Sequence, residues 1–424
     1  MNETIGKFSL ERKLGEGATA EVYLGRDAFT GRQVAIKIAR QASAAQQGRQ
    51  FQDMFLNEVA LTGRMQHPHI VGLYDAGVEQ DRLYVIMEYV PGGTLQDYAN
   101  PANLLPRDRL LDLMVMASNA LGYAAEKGVL HRDLKPANLL YLDGKGIKVT
   151  DFGTALMQHS EREQLQGMMG TPAYLSPEMI LGQDIDQRSD IFALGVVFHQ
   201  LLCGRLPFQG RTPQELFDAI LHQPLTARDR LAPELPDAIN EILQGCLARD
   251  PSQRYSTWDA LQGDLISAHQ ELCPAEDELT HSQKFALLKR TPFFRDLNDR
   301  QLWEIISISY WYRLPPNEVL IEEGSSSGAL YFIASGSARV EKNGKVLGQL
   351  ASGYSIGELS YIQGAEQRRT ASVISNETVD LIEIEPRDLE ESSDHLQSSI
   401  KTLWLKVLAD RLAKLTDMNV KDSL

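Results

Sequence analysis

The sequence predicts an α+β chain of two domains. The first would be a mixed domain of strands followed by helices, the second a small antiparallel β-roll with flanking helices. Three observations predict this. The first hundred residues alternate short β-type runs with Gly-containing turns around one helical stretch. Residues 107–269 carry mainly helical spacing. From about residue 309 short apolar runs return, punctuated by Pro315-Pro316-Asn317, Gly324, Gly336, Asn343-Gly344 and Gly353.

The elements follow in order. Residues 8–14, 21–27 and 32–39 read as strands, and 51–65 as a helix ended by His67-Pro68. Residues 70–76 and 83–88 are strands again, before Pro91-Gly92-Gly93 breaks the pattern. The longest apolar run, 191–204, contains Gly195, His199 and Gln200. It is too short for a bilayer and reads as a buried core helix. Residues 271–278 are acidic with a proline and read as a linker. Short helices are expected up to about residue 308. Asn343-Gly344, between Ala338-Arg339-Val340 and Lys345-Val346-Leu347, is a hairpin signal. The last helix, 396–415, carries a wide apolar stripe: Leu403, Trp404, Val407, Leu408, Leu412 and Leu415.

With 424 residues and 43% hydrophobic content the chain can build two cores. A net charge of −15 argues against general nucleic-acid binding. The first ten residues lack the apolar core of a signal peptide. Cys203, Cys246 and Cys273 are odd in number and far apart, which suggests reduced thiols. The expectation is a cytoplasmic protein without a membrane or nucleic-acid partner.

Chemistry-bearing motifs fall in a fixed order. Gly15-Glu16-Gly17-Ala18-Thr19-Ala20-Glu21-Val22 occupies a strand–turn–strand, and Val34-Ala35-Ile36-Lys37 puts a lysine on the next strand. Glu58 lies in the following helix. His131-Arg132-Asp133-Leu134-Lys135-Pro136-Ala137-Asn138 comes after the long helix, then Asp151-Phe152-Gly153 and Ser176-Pro177-Glu178. Each alone has an ordinary explanation: a turn, an exposed lysine, a solvated glutamate, a loop. The ordered set resembles the eukaryotic-type protein kinase family over residues 8 to 265.

The resemblance implies a bilobal protein kinase fold, ATP and Mg2+, protein substrates and transfer to serine or threonine. Phosphoryl transfer depends on positioning and charge neutralisation more than on covalent help. Lys37 would hold the α- and β-phosphates and be oriented by Glu58. Asp133 would accept the hydroxyl proton, Lys135 would contact the γ-phosphate, and Asn138 and Asp151 would hold Mg2+. Gly15, Gly17, Val22, Ala35, Met87, Glu88 and Val90 would surround the nucleotide, with Met87 as gatekeeper. Asp190 would anchor the catalytic loop, and Arg254 would pair with Glu178. Two positions depart from the pattern, Ala20 for the third glycine and Ser176 for alanine. Both are small-for-small. Gly167-Met168-Met169 offers no hydroxyl where many relatives are phosphorylated, so activity should not need phosphorylation there; Thr154, Ser160 and Thr171 remain open as sites.

A second constellation is Gly357-Glu358-Leu359-Ser360 followed by Gln367-Arg368-Arg369-Thr370-Ala371-Ser372-Val373. With Leu330-Tyr331-Phe332-Ile333 upstream and a leading Pro292-Phe293-Phe294, it resembles the cyclic-nucleotide-binding domain family over residues 291 to 415. Backbone N–H groups at a helix start and an arginine suit a cyclic phosphate, and a carboxylate suits a ribose hydroxyl. The resemblance implies that Glu358 takes the ribose and Arg369 the phosphate, with Gly357, Leu359, Ser360 and Thr370 lining the loop. Arg368 competes with Arg369 on spacing. Tyr354 stands where many relatives have aspartate. The ligand is cAMP or cGMP, and Thr370 does not decide between them.

The division expected is 8–268 for the kinase domain, 269–290 for a linker and leading helix, and 291–418 for a β-roll cyclic-nucleotide-binding domain. The leading reading is a serine/threonine kinase regulated by cyclic nucleotide. The rivals are a kinase whose roll is only an assembly or docking module, and a pseudokinase sensor. The final helix can serve as a lid over the base or as the seam of a homodimer.

Overall fold

The computed structural model describes residues 4–17, 20–39, 59, 62–79, 82–142, 146–152, 172–223, 235–272, 279–325, 328–358, 361 and 368–421; in 410–421 it describes only the backbone. The chain divides into two compact units, Met1–Leu272 and Cys273–Leu424.

Unit one opens with an antiparallel six-stranded sheet. Its strands are β1 (Thr4–Ile5), β2 (Phe8–Glu16), β3 (Ala20–Asp27), β4 (Gln33–Ala39), β5 (Leu73–Glu79) and β6 (Arg82–Glu88), in the order β1-β2-β3-β4-β6-β5. The period of two along β4 sorts its residues. Val34, Ile36 and Ile38 join Ile5, Phe8 and Ile86 in one core. Ala35, Lys37 and Ala39 face the other way, and Ala39 packs with Leu83, Val85 and Val59. Of the helix expected over 51–65, residues 51–58, 60 and 61 lie outside the described residues.

The strand expected at 70–76 begins three residues later. Ile70 makes an isolated parallel bridge with Val149, and the amide of Val71 donates to the Val149 carbonyl at 2.9 Å. Its backbone is thus committed to a distant strand. The following elements are β7 (Gly93–Thr94), α1 (Arg107–Glu126), β8 (Leu139–Leu142) and β9 (Gly146–Val149), with the three strands forming a small sheet.

Helices complete the unit: α2 (Pro177–Leu181), α3 (Gln187–Cys203), α4 (Pro213–His222), α5 (Asp237–Leu247) and α6 (Trp258–Leu272). The apolar run at 191–204 is indeed a core helix, with residues from Ser189 to Leu201 buried. Gly204 ends α3 in the left-handed conformation at φ 66°. Since α6 extends to Leu272, the first residues assigned to the linker are helical. Among the described residues no helix is long and apolar enough to cross a membrane.

Arg254 and Glu178 pair as expected. Nη1 and Nη2 of Arg254 donate to Glu178 Oε1 and Oε2 at 2.7 and 2.8 Å, and Ser189 Oγ donates to Oε1 at 2.5 Å. Burial would raise the glutamate's pKa, but the Arg254 and Ser189 hydrogen bonds outweigh it and hold the carboxyl below its ordinary 4.5. The pair's contribution is therefore complete above that value and is lost as pH falls through the lowered folded pKa. Arg254→Met should destabilise unit one by about 3–5 kcal/mol, because it leaves a buried carboxylate alone. Denaturant unfolding checks this; a loss below about 1 kcal/mol would refute the role.

Unit two begins with α7 (His281–Arg290) and α8 (Asp299–Ser307), each started by a capping box. Eight strands follow: β10 (Ser309–Leu314), β11 (Val319–Ile321), β12 (Leu330–Ser335), β13 (Ser337–Lys342), β14 (Lys345–Ala351), β15 (Ser355–Ile356), β16 (Ser372–Ser375) and β17 (Val379–Ile384). They form two four-stranded sheets, β10-β17-β12-β15 and β11-β16-β13-β14. Asn343 (φ 49°) and Gly344 (φ 73°) form the turn of the β13–β14 hairpin. Two helices close the unit, α9 (Pro386–Glu390) and α10 (Asp394–Lys421).

Ile321, Ile333, Ala338, Val373, Val379 and Leu381 fill the roll. The outer face of β12 meets the helices: the Phe332 ring lies 5.0 Å from Phe293 and Phe294 and stacks 6.4 Å from Trp404. Of the stripe expected on α10, Leu403 and Trp404 are buried, while Leu405 beside them is 66% exposed.

Candidate active site and nucleotide site

In unit one, register gathers residues that sequence separates. Lys37 stands opposite Val22 on β3 and Val85 on β6, and Ala35 stands opposite Met87. Opposed residues share a face, so Val22, Ala35, Lys37 and Met87 line the same side of the sheet. Gly15 pairs with Val22, and the amide of Gly17 donates to the carbonyl of Ala20 at 2.8 Å, so β2 and β3 are paired up to the Gly-rich turn. Ala20 is buried, so the departure from glycine is accommodated inside the fold. The Glu88 carboxylate takes the amide of Gly72 at 3.1 Å and Lys148 Nζ at 2.9 Å, holding the strand end that leads to Val90.

Lys37 is buried, and its Nζ donates to Asp151 Oδ1 at 2.8 Å. Burial would raise the Asp151 pKa, but the Lys37 charge and hydrogen bond outweigh it and hold the carboxyl below the usual range. The orienting partner expected for Lys37, Glu58, lies outside the described residues, as do Gly153 and residues 154–171.

The catalytic loop is held from below. Asp190, buried in α3, accepts the amides of His131 at 2.7 Å and Arg132 at 2.8 Å. Arg132 (φ 64°) and Asp151 (φ 66°) both adopt left-handed backbone, which costs about 1–3 kcal/mol each and persists only where surroundings enforce it. His131 Nε2 bonds the Thr150 carbonyl at 2.9 Å, and its ring packs 4.8 Å from Phe152. The Thr150 amide donates to the carbonyl of Asn138 at 3.0 Å, placing Asp151 beside the loop. Lys135 Nζ donates to Asp133 Oδ2 at 2.7 Å, and Asn138 Nδ2 donates to the Asp133 carbonyl at 2.8 Å. Thus Lys37, Asp133, Lys135, Asn138 and Asp151 are joined by direct or one-step links. One carboxylate and one amide as hard oxygen donors fit Mg2+, which takes few protein ligands and completes its shell with water and phosphate oxygens.

In unit two, Arg369 is buried and Arg368 exposed. Arg369 Nη2 donates to the carbonyl of Ala329 at 2.5 Å, and the guanidinium lies over the Tyr331 ring at 5.8 Å. Gly357 has φ 97°, and a Cβ there would come within 2.6 Å of Arg369 Nη1 and 2.9 Å of the Ala329 carbonyl. Only glycine permits both that backbone and that approach. Glu358 is buried and Thr370 exposed. Leu359 and Ser360 lie outside the described residues. Tyr354, where aspartate was the expected type, is 40% exposed. Tyr331 and its partner Glu383 gave no sequence signal, because a tyrosine and a glutamate in strands read as ordinary alternation. Tyr361, whose ring lies 5.4 Å from Trp404 of α10, gave none either.

Comparison with known proteins agrees with this geometry. Residues 8–266 match the protein kinase domain family, and residues 312–394 match the cyclic nucleotide-binding domain family. Serine/threonine-protein kinase PrkC of Bacillus subtilis is 34% identical over 292 residues, covering 69% of this chain and 45% of PrkC. Serine/threonine-protein kinase PknB of Mycolicibacterium smegmatis is 32% identical over 295 residues, covering 68% and 47%. The chain thus spans about half the length of these relatives. The kinase domain of Mycobacterium tuberculosis PknI superposes with a TM-score of 0.51 at 28% identity, over 63% of this chain and 98% of that one. Sequence order, site geometry and these matches lead to one conclusion: the chain belongs to the protein kinase family, and its second unit carries a cyclic nucleotide-binding domain.

Proposed function

We propose that the chain transfers the γ-phosphate of ATP to serine or threonine hydroxyls of protein substrates, under control of a cyclic nucleotide bound in unit two. The observation that carries the first part is the linked cluster of Lys37, Asp151, Asn138, Asp133 and Lys135. Lys37 binds the α- and β-phosphates beneath the hairpin of Gly15 and Gly17. Val22, Ala35 and Met87 enclose the adenine, and the backbone of Glu88 to Val90 hydrogen-bonds it. Asp133 receives the proton of the attacking hydroxyl, while Lys135 meets the γ-phosphate. Asn138 and Asp151 hold Mg2+, which when bound neutralises phosphate charge. Catalysis here is positioning and electrostatics, which such a preorganised set supplies.

The buried Arg369, the close approach at Gly357 and the buried Glu358 support a cyclic-phosphate and ribose site, lined also by Leu359, Ser360 and Thr370. Either cAMP or cGMP fits this chemistry. A ligand can shift activity only by binding two arrangements unequally. In this reading the unliganded sensor restrains the kinase and the nucleotide relieves it.

The test is phosphorylation of a general protein substrate with and without cAMP or cGMP. A truncation ending at Leu272, where α6 ends, should be constitutively active and blind to both nucleotides. A stable truncation no more active than the unliganded full chain would refute inhibition by the sensor. Full activity of the whole chain without any nucleotide response would favour a roll that only docks or assembles.

A further inference from the structure

Arg369 is 8% exposed, and two of its side-chain contacts come from one short stretch, Ala329 to Tyr331. Nη2 is taken by the Ala329 carbonyl, and the guanidinium carbon sits 5.8 Å from the centre of the Tyr331 ring. Ala329 immediately precedes β12 and Tyr331 is its second residue, so one short stretch supplies both contacts, a backbone carbonyl and a ring. Nη1 lies against Gly357. Nε makes no hydrogen bond among the described residues. One edge and one face of the guanidinium are therefore occupied by Ala329 and Tyr331, while Nη1 lies against Gly357.

The ring is held in turn. Tyr331 Oη donates to Glu383 Oε1 at 3.2 Å, and Glu383 stands directly opposite Tyr331 in the β12–β17 register. Glu383 also receives the hydroxyl of Tyr312, and this bond is the main cause that pushes the Tyr312 pKa up to about 12.

We propose that Tyr331 is a positioning residue for anion binding: its ring, tied down by Glu383, holds the Arg369 guanidinium with Nη1 against the Gly357 loop. The inference rests on the cyclic-nucleotide reading of this site. An arginine loses rotamer freedom when it binds an anion, and a ring that fixes it beforehand removes that cost from the binding step. Because the phosphate is common to cAMP and cGMP, the effect of Tyr331 should be equal for both.

The test is calorimetry of the full chain with cAMP and with cGMP. Tyr331→Leu should weaken both about tenfold and by the same factor, as expected for loss of a desolvated cation–π contact. Tyr331→Phe, which keeps the ring, should recover most of that loss. In an Arg369→Lys background, where the planar fork is gone, Tyr331→Leu should cost little more, whereas a merely structural role would cost as much in either background. Should leucine at 331 lower the unfolding temperature, Glu383→Ala, which frees the ring without removing it, replaces it in the same cycle. Binding by Arg369→Ala equal to wild type would show that Arg369 does not hold the phosphate and that the reading of this site is wrong. Loss of binding in Arg369→Ala with wild-type affinity in Tyr331→Leu, or unequal effects on cAMP and cGMP, would leave that reading intact and overturn the positioning role.

Discussion

Lys37→Ala and Asp151→Asn should each lower phosphoryl transfer by at least about a thousandfold while the chain stays folded. The two side chains carry opposite charges and approach to 2.8 Å although they are 114 positions apart in sequence. Alanine at 37 removes the cation meant for the α- and β-phosphates. It also removes the main influence that keeps the Asp151 carboxyl below its usual range against the effect of burial. Asparagine at 151 keeps the shape but removes the charge meant for Mg2+. Neither residue belongs to an apolar core, and the Asp151 side chain is 24% exposed. Each change leaves its partner's mostly buried charge unpaired, so a stability cost of up to about 3 kcal/mol is expected, less than for the more deeply buried Arg254–Glu178 pair. The measurement is γ-phosphate transfer to a general substrate beside thermal unfolding of each variant. Unchanged transfer in either would remove these residues from the mechanism.

Arg369→Ala should weaken cyclic-nucleotide binding by about 2–5 kcal/mol, a factor of roughly thirty to several thousand. The guanidinium is buried, so its loss leaves the phosphate charge desolvated without a counter-charge. Arg368→Ala is the internal control, because that side chain is exposed and a screened charge on the surface contributes little. Calorimetry with cAMP and cGMP reads both variants. Equal loss in the two, or loss only at Arg368, would mean that the phosphate is held elsewhere.

Much of this was legible before any coordinates. Motif order and spacing picked out the Gly-rich hairpin, the lysine strand, the loop from His131 to Asn138 and both domain families, because each is a local arrangement written in consecutive residues. The Asn343-Gly344 turn was equally local: both residues need positive φ, and that preference belongs to the residue type. The burial of 191–201 followed from its apolar content despite Gly195, His199 and Gln200.

Other features needed the tertiary structure. The strand expected at 70–76 starts at Leu73 because the backbone of Val71 and His69 is bonded to Val149, a partner that no local pattern names. Arg368 and Arg369 are neighbours in sequence; the backbone of Arg369 is bonded to Gly324 and Ser325 and its side chain to the Ala329 carbonyl, distant partners that no local pattern names. The hold of Tyr331 and Glu383 on that arginine depends on β12 and β17 lying side by side with 52 residues between the two side chains. Residue type and period determine what each segment can form and which face it buries. Which distant groups then meet is decided by strand pairing and packing, since a hydrogen bond or ion pair requires a separation near 3 Å that sequence spacing does not encode.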